Sequence, residues 1–228
     1  MKHRVIEFVG VPGCGKSTIT KHVVDKLKCL YKDDIIVRSD ISVHINIMWK
    51  QRWTIPFFFI YHTIISKAGL KTKYNLLRFI CQYSINSFSI IYATYILLFI
   101  DAVKKAQNHN MIILLDEGII QFLTSIPHEY TIIEGNVTDR ILNSINELLN
   151  ASCIIKCTIR DEIAINRIRT RGKVDRFQYN ENLKKLLAVK GSNITYILSR
   201  ISCRIININM EETIEHNTEV VINEILQK

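Results

Sequence analysis

The sequence has few of the residues that interrupt regular structure. Only 8 glycines and 3 prolines occur in 228 residues, which excludes collagen-like chains and chains made mainly of linkers. Because 48% of the residues are hydrophobic, intrinsic disorder is excluded as well. We therefore expect one folded domain that spans residues 1–228 and buries a sizeable core.

Cysteine and histidine patterns that mark disulfide frameworks or metal sites are also absent. The six cysteines include no C-x-x-C pair, and the seven histidines show no metal-binding spacing. We predict free thiols in a reducing, cytoplasmic environment. Glu7 precedes any long apolar run, so we expect no signal peptide.

Long hydrophobic runs are scarce, and the most apolar window covers residues 85–100. Polar side chains interrupt this window, and it is shorter than the roughly 18 apolar residues that a membrane span requires. We predict a buried helix without stable membrane insertion, and a membrane-associated helix is the alternative. The formal net charge of +9 favours an anionic partner, such as a nucleotide, a polyphosphate, a nucleic acid or a membrane surface.

Short apolar runs alternate with stretches of helical periodicity along most of the chain, which predicts an α/β fold. Continuous apolar strands between helices are typical of a parallel sheet that is covered on both faces. From about residue 41 to residue 110 no clear strand signal appears, which predicts a helical insertion over the carboxyl edge of the sheet, where ligands of such folds bind. The predicted strands cover residues 5–9, 35–37, 111–115, 153–159 and 204–208.

The strongest motif, G-V-P-G-C-G-K-S at residues 10–17, matches the phosphate loop G-x-x-x-x-G-K-[ST]. Its glycines allow backbone amides to surround a phosphate at the amino end of the following helix. Lys16 is expected to reach the β- and γ-phosphates, and the Ser17 hydroxyl to bind Mg²⁺. The predicted phosphate-binding residues are Gly10, Val11, Pro12, Gly13, Cys14, Gly15, Lys16, Ser17 and Thr18.

Acidic side chains follow two of the predicted strands. Asp116 and Glu117 come directly after residues 111–115, and Asp40 follows the second strand. We predict that Asp116 joins Ser17 at the Mg²⁺, and that Glu117 polarises a water or contacts a phosphate acceptor. Asp40 is a candidate for binding an acceptor hydroxyl or for acting as general base. Ordinary turn-capping carboxylates are the alternative for all three residues.

A basic segment at about residues 160–178 is predicted to form a lid. Residues 156–190 carry ten basic and four acidic side chains. Arg167 and Arg171 are four residues apart and share a helix face, where their guanidinium groups could neutralise a transferring phosphoryl group. A solvated basic helix or a nucleic-acid patch is the alternative.

This segment resembles the lid of the thymidylate kinases, P-E-x-x-L-x-R-x-x-x-R-G-x-x-D-R. The resemblance implies the three-layer fold of the P-loop NTPases, with a five-stranded parallel sheet in the order 2-3-1-4-5. It also implies ATP with Mg²⁺ as phosphoryl donor and a lid whose arginines close over the phosphates. The matching residues are Glu162, Arg167, Arg171, Gly172, Asp175 and Arg176.

The resemblance is confined to the donor and lid motifs. Residues 38–40 read R-S-D where that family has an acidic residue followed by Pro-Gly, and Glu117 stands in place of an arginine. The charge is thereby inverted where the family binds the phosphate of its acceptor.

The sequence therefore predicts a P-loop kinase that transfers the γ-phosphoryl group of ATP to a small molecule, with nucleosides and nucleoside monophosphates among the candidates. One alternative is an ATPase or GTPase switch in which Asp116 and Glu117 activate water. Another is a basic protein that binds nucleic acid or a membrane surface, although we expect no nucleic-acid partner. Self-association into a homodimer stays open.

Overall fold

The computed structural model describes residues 5–31, 35–37, 55–109, 112–149, 152–171, 177 and 179–226. In these residues, five strands alternate with nine helices. The strands are β1 (Val5–Val9), β2 (Ile35–Val37), β3 (Ile112–Leu115), β4 (Ser152–Thr158) and β5 (Arg204–Asn209). The helices are α1 (Lys16–Tyr31), α2 (Ile55–Ile65), α3 (Leu70–Tyr83), α4 (Ser87–His109), α5 (Ile119–Leu123), α6 (Asn136–Leu149), α7 (Asp161–Arg169), α8 (Leu183–Ser199) and α9 (Ile214–Leu226).

The five strands form one parallel sheet in the order β2-β3-β1-β4-β5. The predicted α/β class with a parallel sheet is confirmed. β1 lies at the centre, and all five of its residues are buried. Because every strand runs in the same direction, the loops after β1, β3 and β4 emerge at one edge of the sheet, which is where ligands bind in open parallel sheets.

Alternation along β1 separates two apolar cores, one on each face of the sheet. Val5 and Val9 point into a core shared with α3, α4, α5, α6 and α8. Ile6 and Phe8 point to the opposite face, into a core shared with α1 and α9. Both faces of the central strand are therefore covered, which explains why the run V-I-E-F-V is almost continuously apolar.

The helical insertion is described from residue 55 onward and consists of α2, α3 and α4. Residues 41–54 lie outside the described part. Helix α4 supplies core residues such as Ile96, Phe99 and Val103, each with no more than 1% exposure, so the predicted buried helix is present. By length and composition alone, residues 87–108 could also cross a membrane, and 56% of the apolar window is buried inside the protein.

Two helices, α5 and α8, are missing from the sequence-based prediction. Helix α5 has only five residues, which is too short to show helical periodicity. The buried face of α8 includes Lys190 and Asn193 beside its leucines and isoleucines, and these polar side chains interrupt the apolar pattern. Both helices border the candidate site.

Candidate nucleotide-binding site

The predicted phosphate loop connects β1 to α1 at the carboxyl edge of the sheet. Gly13 has φ = 81°, a left-handed conformation that side chains with a Cβ rarely adopt. A Cβ at Gly13 would also lie 2.5 Å from the backbone oxygen of Ala164 in α7. Glycine at this position therefore permits both the turn of the loop and the close packing of α7 against it.

Lys16 is buried and folds back over the loop. Its Nζ donates to the backbone oxygens of Gly10 at 2.7 Å and Val11 at 3.3 Å, and it lies 3.8 Å from the Sγ of Cys14. These contacts hold the ammonium group at the opening of the loop. Phosphate oxygens are stronger acceptors than carbonyls for a charged donor. The Lys16 ammonium can therefore exchange these carbonyl oxygens for the phosphate oxygens of a bound triphosphate.

Cys14 is buried inside the loop, next to Lys16. A hydrogen bond from the Cys157 thiol and the neighbouring Lys16 ammonium together lower the pKa of Cys14 to about 6, although burial acts in the opposite direction. The pKa of Cys157 rises well above its usual value because it donates to Cys14 and is itself buried.

Ser17 and Asp116, which the sequence assigns together to Mg²⁺, lie close to each other. The Ser17 hydroxyl donates to Oδ2 of Asp116 at 3.4 Å, although 99 residues separate them, because α1 begins and β3 ends at this edge. A hydroxyl and a carboxylate are oxygen ligands of the kind that Mg²⁺ uses together with substrate phosphates and water. Within the described ranges, no group of three or more His, Cys, Asp or Glu side chains could hold a metal ion. The residues present fit a magnesium ion that arrives with its nucleotide.

A cavity of about 180 Å³ opens above the loop. It brings Lys16 and Ser17 together with Glu117 and Arg171, four residues that the sequence singled out. The remaining lining residues are Pro12, Gly13, Gly15, Thr18, Gln121, Ser125, Phe177 and Lys190.

A second cavity, of about 510 Å³, lies beside the first and shares Gly13, Gly15, Thr18 and Arg171 with it. Its other walls come from α7 and from the segment after β5, including Met210 and Ile214. The arrangement provides a polar chamber at the phosphate loop and a larger, more apolar chamber next to it. A nucleoside triphosphate has a charged tail, which suits the polar chamber, and a planar base, which suits the more apolar one.

The two predicted lid arginines occupy different places. Arg167 donates to the backbone oxygens of Cys14 at 3.3 Å and Met210 at 3.4 Å, so it ties α7 to the outer side of the loop and to the end of β5. Arg171 lines both cavities. Of the two, Arg171 is the one that shares the smaller cavity with Lys16 and Glu117. The prediction that both arginines share a helix face is wrong, because α7 ends at Arg169 and Arg171 lies beyond it.

The sequence analysis missed a buried carboxyl beneath the turn that carries Asp116 and Glu117. Glu7 of β1 is 1% exposed, and its Oε1 accepts from the backbone amide of Gln121 at 3.0 Å. Burial raises the pKa of Glu7 to about 7, although hydrogen bonds from the backbone of residues 118–121 act in the opposite direction. A Cβ at Gly118 would lie 2.6 Å from Cδ of Glu7, so glycine is required for this close approach.

Gln121 and Lys190 complete this polar layer. The backbone amide of Gly10 donates to Oε1 of Gln121 at 3.2 Å, which links the start of the phosphate loop to α5. Lys190 of α8 is 5% exposed and donates to the backbone oxygen of Thr124. A charged residue within the apolar run V-I-E-F-V was a visible signal for Glu7. Gln121 and Lys190 offered no comparable signal.

Several predicted site residues lie outside the described part of the chain. They are Asp40 and the lid residues Gly172, Asp175 and Arg176. Their roles stay predictions. Of the lid that was predicted at residues 160–178, the structure describes residues 160–171 and Phe177. Phe177 is buried against α7 and α8.

No family model and no curated protein sequence matches this chain. Among solved structures, it is similar to a deoxyadenosine kinase from M. mycoides. The form with bound dATP gives a TM-score of 0.49 at 17% identity, and covers 99% of this chain and 100% of that one. The form with bound dCTP gives 0.47 at 14% identity, covering 97% and 98%. Since both TM-scores are below 0.5, the function of this chain has to follow from its own residues.

Proposed function

We propose that this protein is an ATP-dependent phosphotransferase that moves the γ-phosphoryl group to a hydroxyl group of a small molecule. The observation that supports the proposal best is the composition of one cavity. Lys16, Ser17, Glu117 and Arg171 line the same 180 Å³ space, and Ser17 lies 3.4 Å from Asp116. Phosphoryl transfer requires positioning and charge neutralisation above all, and these residue types supply both.

On the donor side, the loop amides and the amino end of α1 would hold the phosphates. Lys16 would exchange its bonds to Gly10 and Val11 for bonds to β- and γ-phosphate oxygens. Arg171, two residues after the end of α7, would approach the same oxygens and stabilise the charge that they carry in the transition state. Ser17 and Asp116 would hold Mg²⁺, which when bound neutralises part of the phosphate charge.

On the acceptor side, Glu117 would orient the hydroxyl and accept its proton as the new P–O bond forms. A carboxylate at this position repels an acceptor that already carries a phosphate, which favours an uncharged acceptor. Gln121, Ser125 and Lys190 add hydrogen-bonding groups on the same wall. A nucleoside, which has free hydroxyl groups and no phosphate, is therefore the first acceptor class to test.

The proposal is tested by measuring ADP release with Mg²⁺–ATP and a panel of nucleosides, nucleoside monophosphates, sugars and amino alcohols. We expect at least one uncharged hydroxyl compound to stimulate ADP release, and its phosphorylated product to accumulate. The Lys16→Ala variant serves as the blank for contaminating kinases.

Two other results would contradict the proposal and support a different function. ADP and phosphate released at one rate with every acceptor and without any would indicate an ATPase, in which Glu117 activates water. Binding to DNA that is steeply salt-dependent and survives Lys16→Ala would instead indicate a nucleic-acid binder.

A further inference from the structure

The helical insertion exposes an unusual amount of apolar surface on the outer sides of α2 and α3. In α2, the spacing of residues 57, 60, 61 and 64 places them on one side of the helix. The opposite side, with Phe58, Phe59 and His62, packs inward. We define the outer apolar face by its residues and their exposures: Phe57 69%, Ile60 55%, Tyr61 56%, Ile64 74%, Ile65 51%, Leu70 85% and Tyr74 62%.

The two helices present this face together. Nζ of Lys73, in the first turn of α3, donates to the backbone oxygen of Ile64 at 3.4 Å. Asp101 of α4 accepts from the hydroxyl of Ser66 at 2.9 Å and from the amide of Lys67 at 2.7 Å, which fixes the turn between α2 and α3. Large exposed apolar patches of this kind mark interaction sites.

The segment of chain that carries this face has basic residues and no acidic ones. No Asp or Glu occurs from residue 41 to residue 100. Four basic residues, Lys67, Lys71, Lys73 and Arg78, lie in the described part of this range. The first acidic residue after this range, Asp101, accepts from Ser66 and Lys67.

We propose that the outer apolar face binds the surface of an anionic lipid membrane. Apolar side chains enter the boundary between headgroups and acyl chains, while the surrounding lysines and Arg78 contact anionic headgroups. The same charge disfavours a second copy of this chain as the occupant, because a two-fold interface would bring the basic patch against itself. Helix α4 stays in the core, so the protein lies on the membrane and does not cross it.

The test is flotation of the full-length protein with lipid vesicles. One set contains phosphatidylcholine alone, and in the other about a third of the lipid is phosphatidylserine. We expect binding to the anionic vesicles, release by high salt, and at least tenfold weaker binding to phosphatidylcholine. Binding of similar strength to both sets, or binding to neither, would overturn the proposal, as would protein that resists both high salt and an alkaline wash.

Matched variants separate this face from non-specific effects. Phe57→Ser with Ile64→Ser should reduce vesicle binding at least tenfold, whereas Ile132→Ser, another exposed apolar position, should leave it unchanged. Lys71→Glu with Arg78→Glu should abolish binding. Lys21→Glu with Lys28→Glu, on α1, changes the net charge equally and should have a much smaller effect.

Equal loss in the two charge variants would overturn the proposal, because net charge alone would then explain binding. A dimer in size-exclusion chromatography that Phe57→Ser with Ile64→Ser converts to a monomer, without vesicle binding, would assign the face to a second copy. These readouts do not depend on kinase activity, so the proposed function can fail while this inference stands, and the reverse also holds.

Discussion

The two sides of the candidate site are built in different ways. We call residues 10–18 the donor wall, and the side that carries Glu117, Gln121, Ser125 and Lys190 the opposite wall. The donor wall is local in sequence, since residues 10–18 supply the loop, the lysine and the hydroxyl within nine consecutive positions. The opposite wall is assembled from β1, α5, α8 and the turn after β3, and a buried carboxyl, Glu7, holds that turn from below. The donor wall offers backbone amides and the Lys16 ammonium, whereas the opposite wall presents a carboxylate, an amide, a hydroxyl group and the Lys190 ammonium.

This difference separates what a fold family shares from what an individual protein needs. In the proposed function, the donor wall would hold any phosphate tail, because it would recognise only charge and shape. The opposite wall would select the acceptor, and its residues occur at positions that no short motif defines. The predictions below test whether the two walls do contribute separately to binding and to transfer.

The largest effect is expected on the donor wall, from Lys16→Ala. Removal of the ammonium leaves the γ-phosphoryl charge without its principal cation, so kcat should fall by at least about a hundredfold. Steady-state ADP release checks this, with Lys21→Ala, an exposed position on α1, as the control. An unchanged kcat in Lys16→Ala would remove Lys16 from the mechanism.

On the opposite wall, Glu117→Gln should lower kcat by about a hundredfold, because no base would then accept the proton of the acceptor hydroxyl. ATP affinity should stay within about twofold, since Glu117 would contact the acceptor hydroxyl and not the triphosphate. Isothermal titration with a non-hydrolysable ATP analogue measures the second quantity. The exposed Glu134 provides the control variant, Glu134→Gln. If Glu117→Gln weakened ATP binding by the same factor as it lowered kcat, the two walls would not contribute separately to binding and to transfer.

The buried carboxyl beneath that wall should make stability depend on pH. The folded-state pKa of Glu7, about 7, lies above its ordinary value of 4.5. Its contribution to the free energy of unfolding is therefore complete below pH 4.5 and is lost as the pH rises through 7. Relative to Glu7→Gln, the wild type should lose about 2 kcal/mol between pH 5 and pH 8.

Urea denaturation of both proteins at the two pH values measures this difference. A constant difference in unfolding free energy across the range would show that Glu7 titrates normally in the folded protein. A difference that grows with pH in favour of the wild type would mean that its folded-state pKa is lowered.

The smallest effects are expected from the two lid arginines, and they should differ in kind. Arg171→Ala should lower kcat about tenfold with little change in ATP affinity, because Arg171 lines the phosphate cavity. Arg167→Ala should mainly raise the KM for ATP, since Arg167 holds the loop through Cys14 and Met210. If kcat and the KM for ATP changed in the same way in both variants, the two arginines would not have the different roles assigned to them.

The sequence predicted the parallel α/β sheet, and it assigned Ser17 and Asp116 to one end of that sheet, where the structure places them 3.4 Å apart; their role at Mg²⁺ stays a prediction. Both follow from local patterns, since apolar runs mark buried strands and residues after parallel strands share one edge. Glu7, Gln121 and Lys190 could not be placed in this way. Their roles depend on contacts across 111 residues in one case, between Gly10 and Gln121, and on a buried face of α8 that contains polar side chains.

The central claim is that this cleft transfers the γ-phosphoryl group, and tracing that group tests it most directly. ATP labelled with ¹⁸O in the γ-phosphoryl group is incubated with the protein, Mg²⁺ and an acceptor that stimulates ADP release, and the products are analysed by mass spectrometry. The account predicts one labelled phosphoryl group in the acceptor for each ADP formed. Label that appears only in inorganic phosphate, at one rate with and without acceptor, would contradict it.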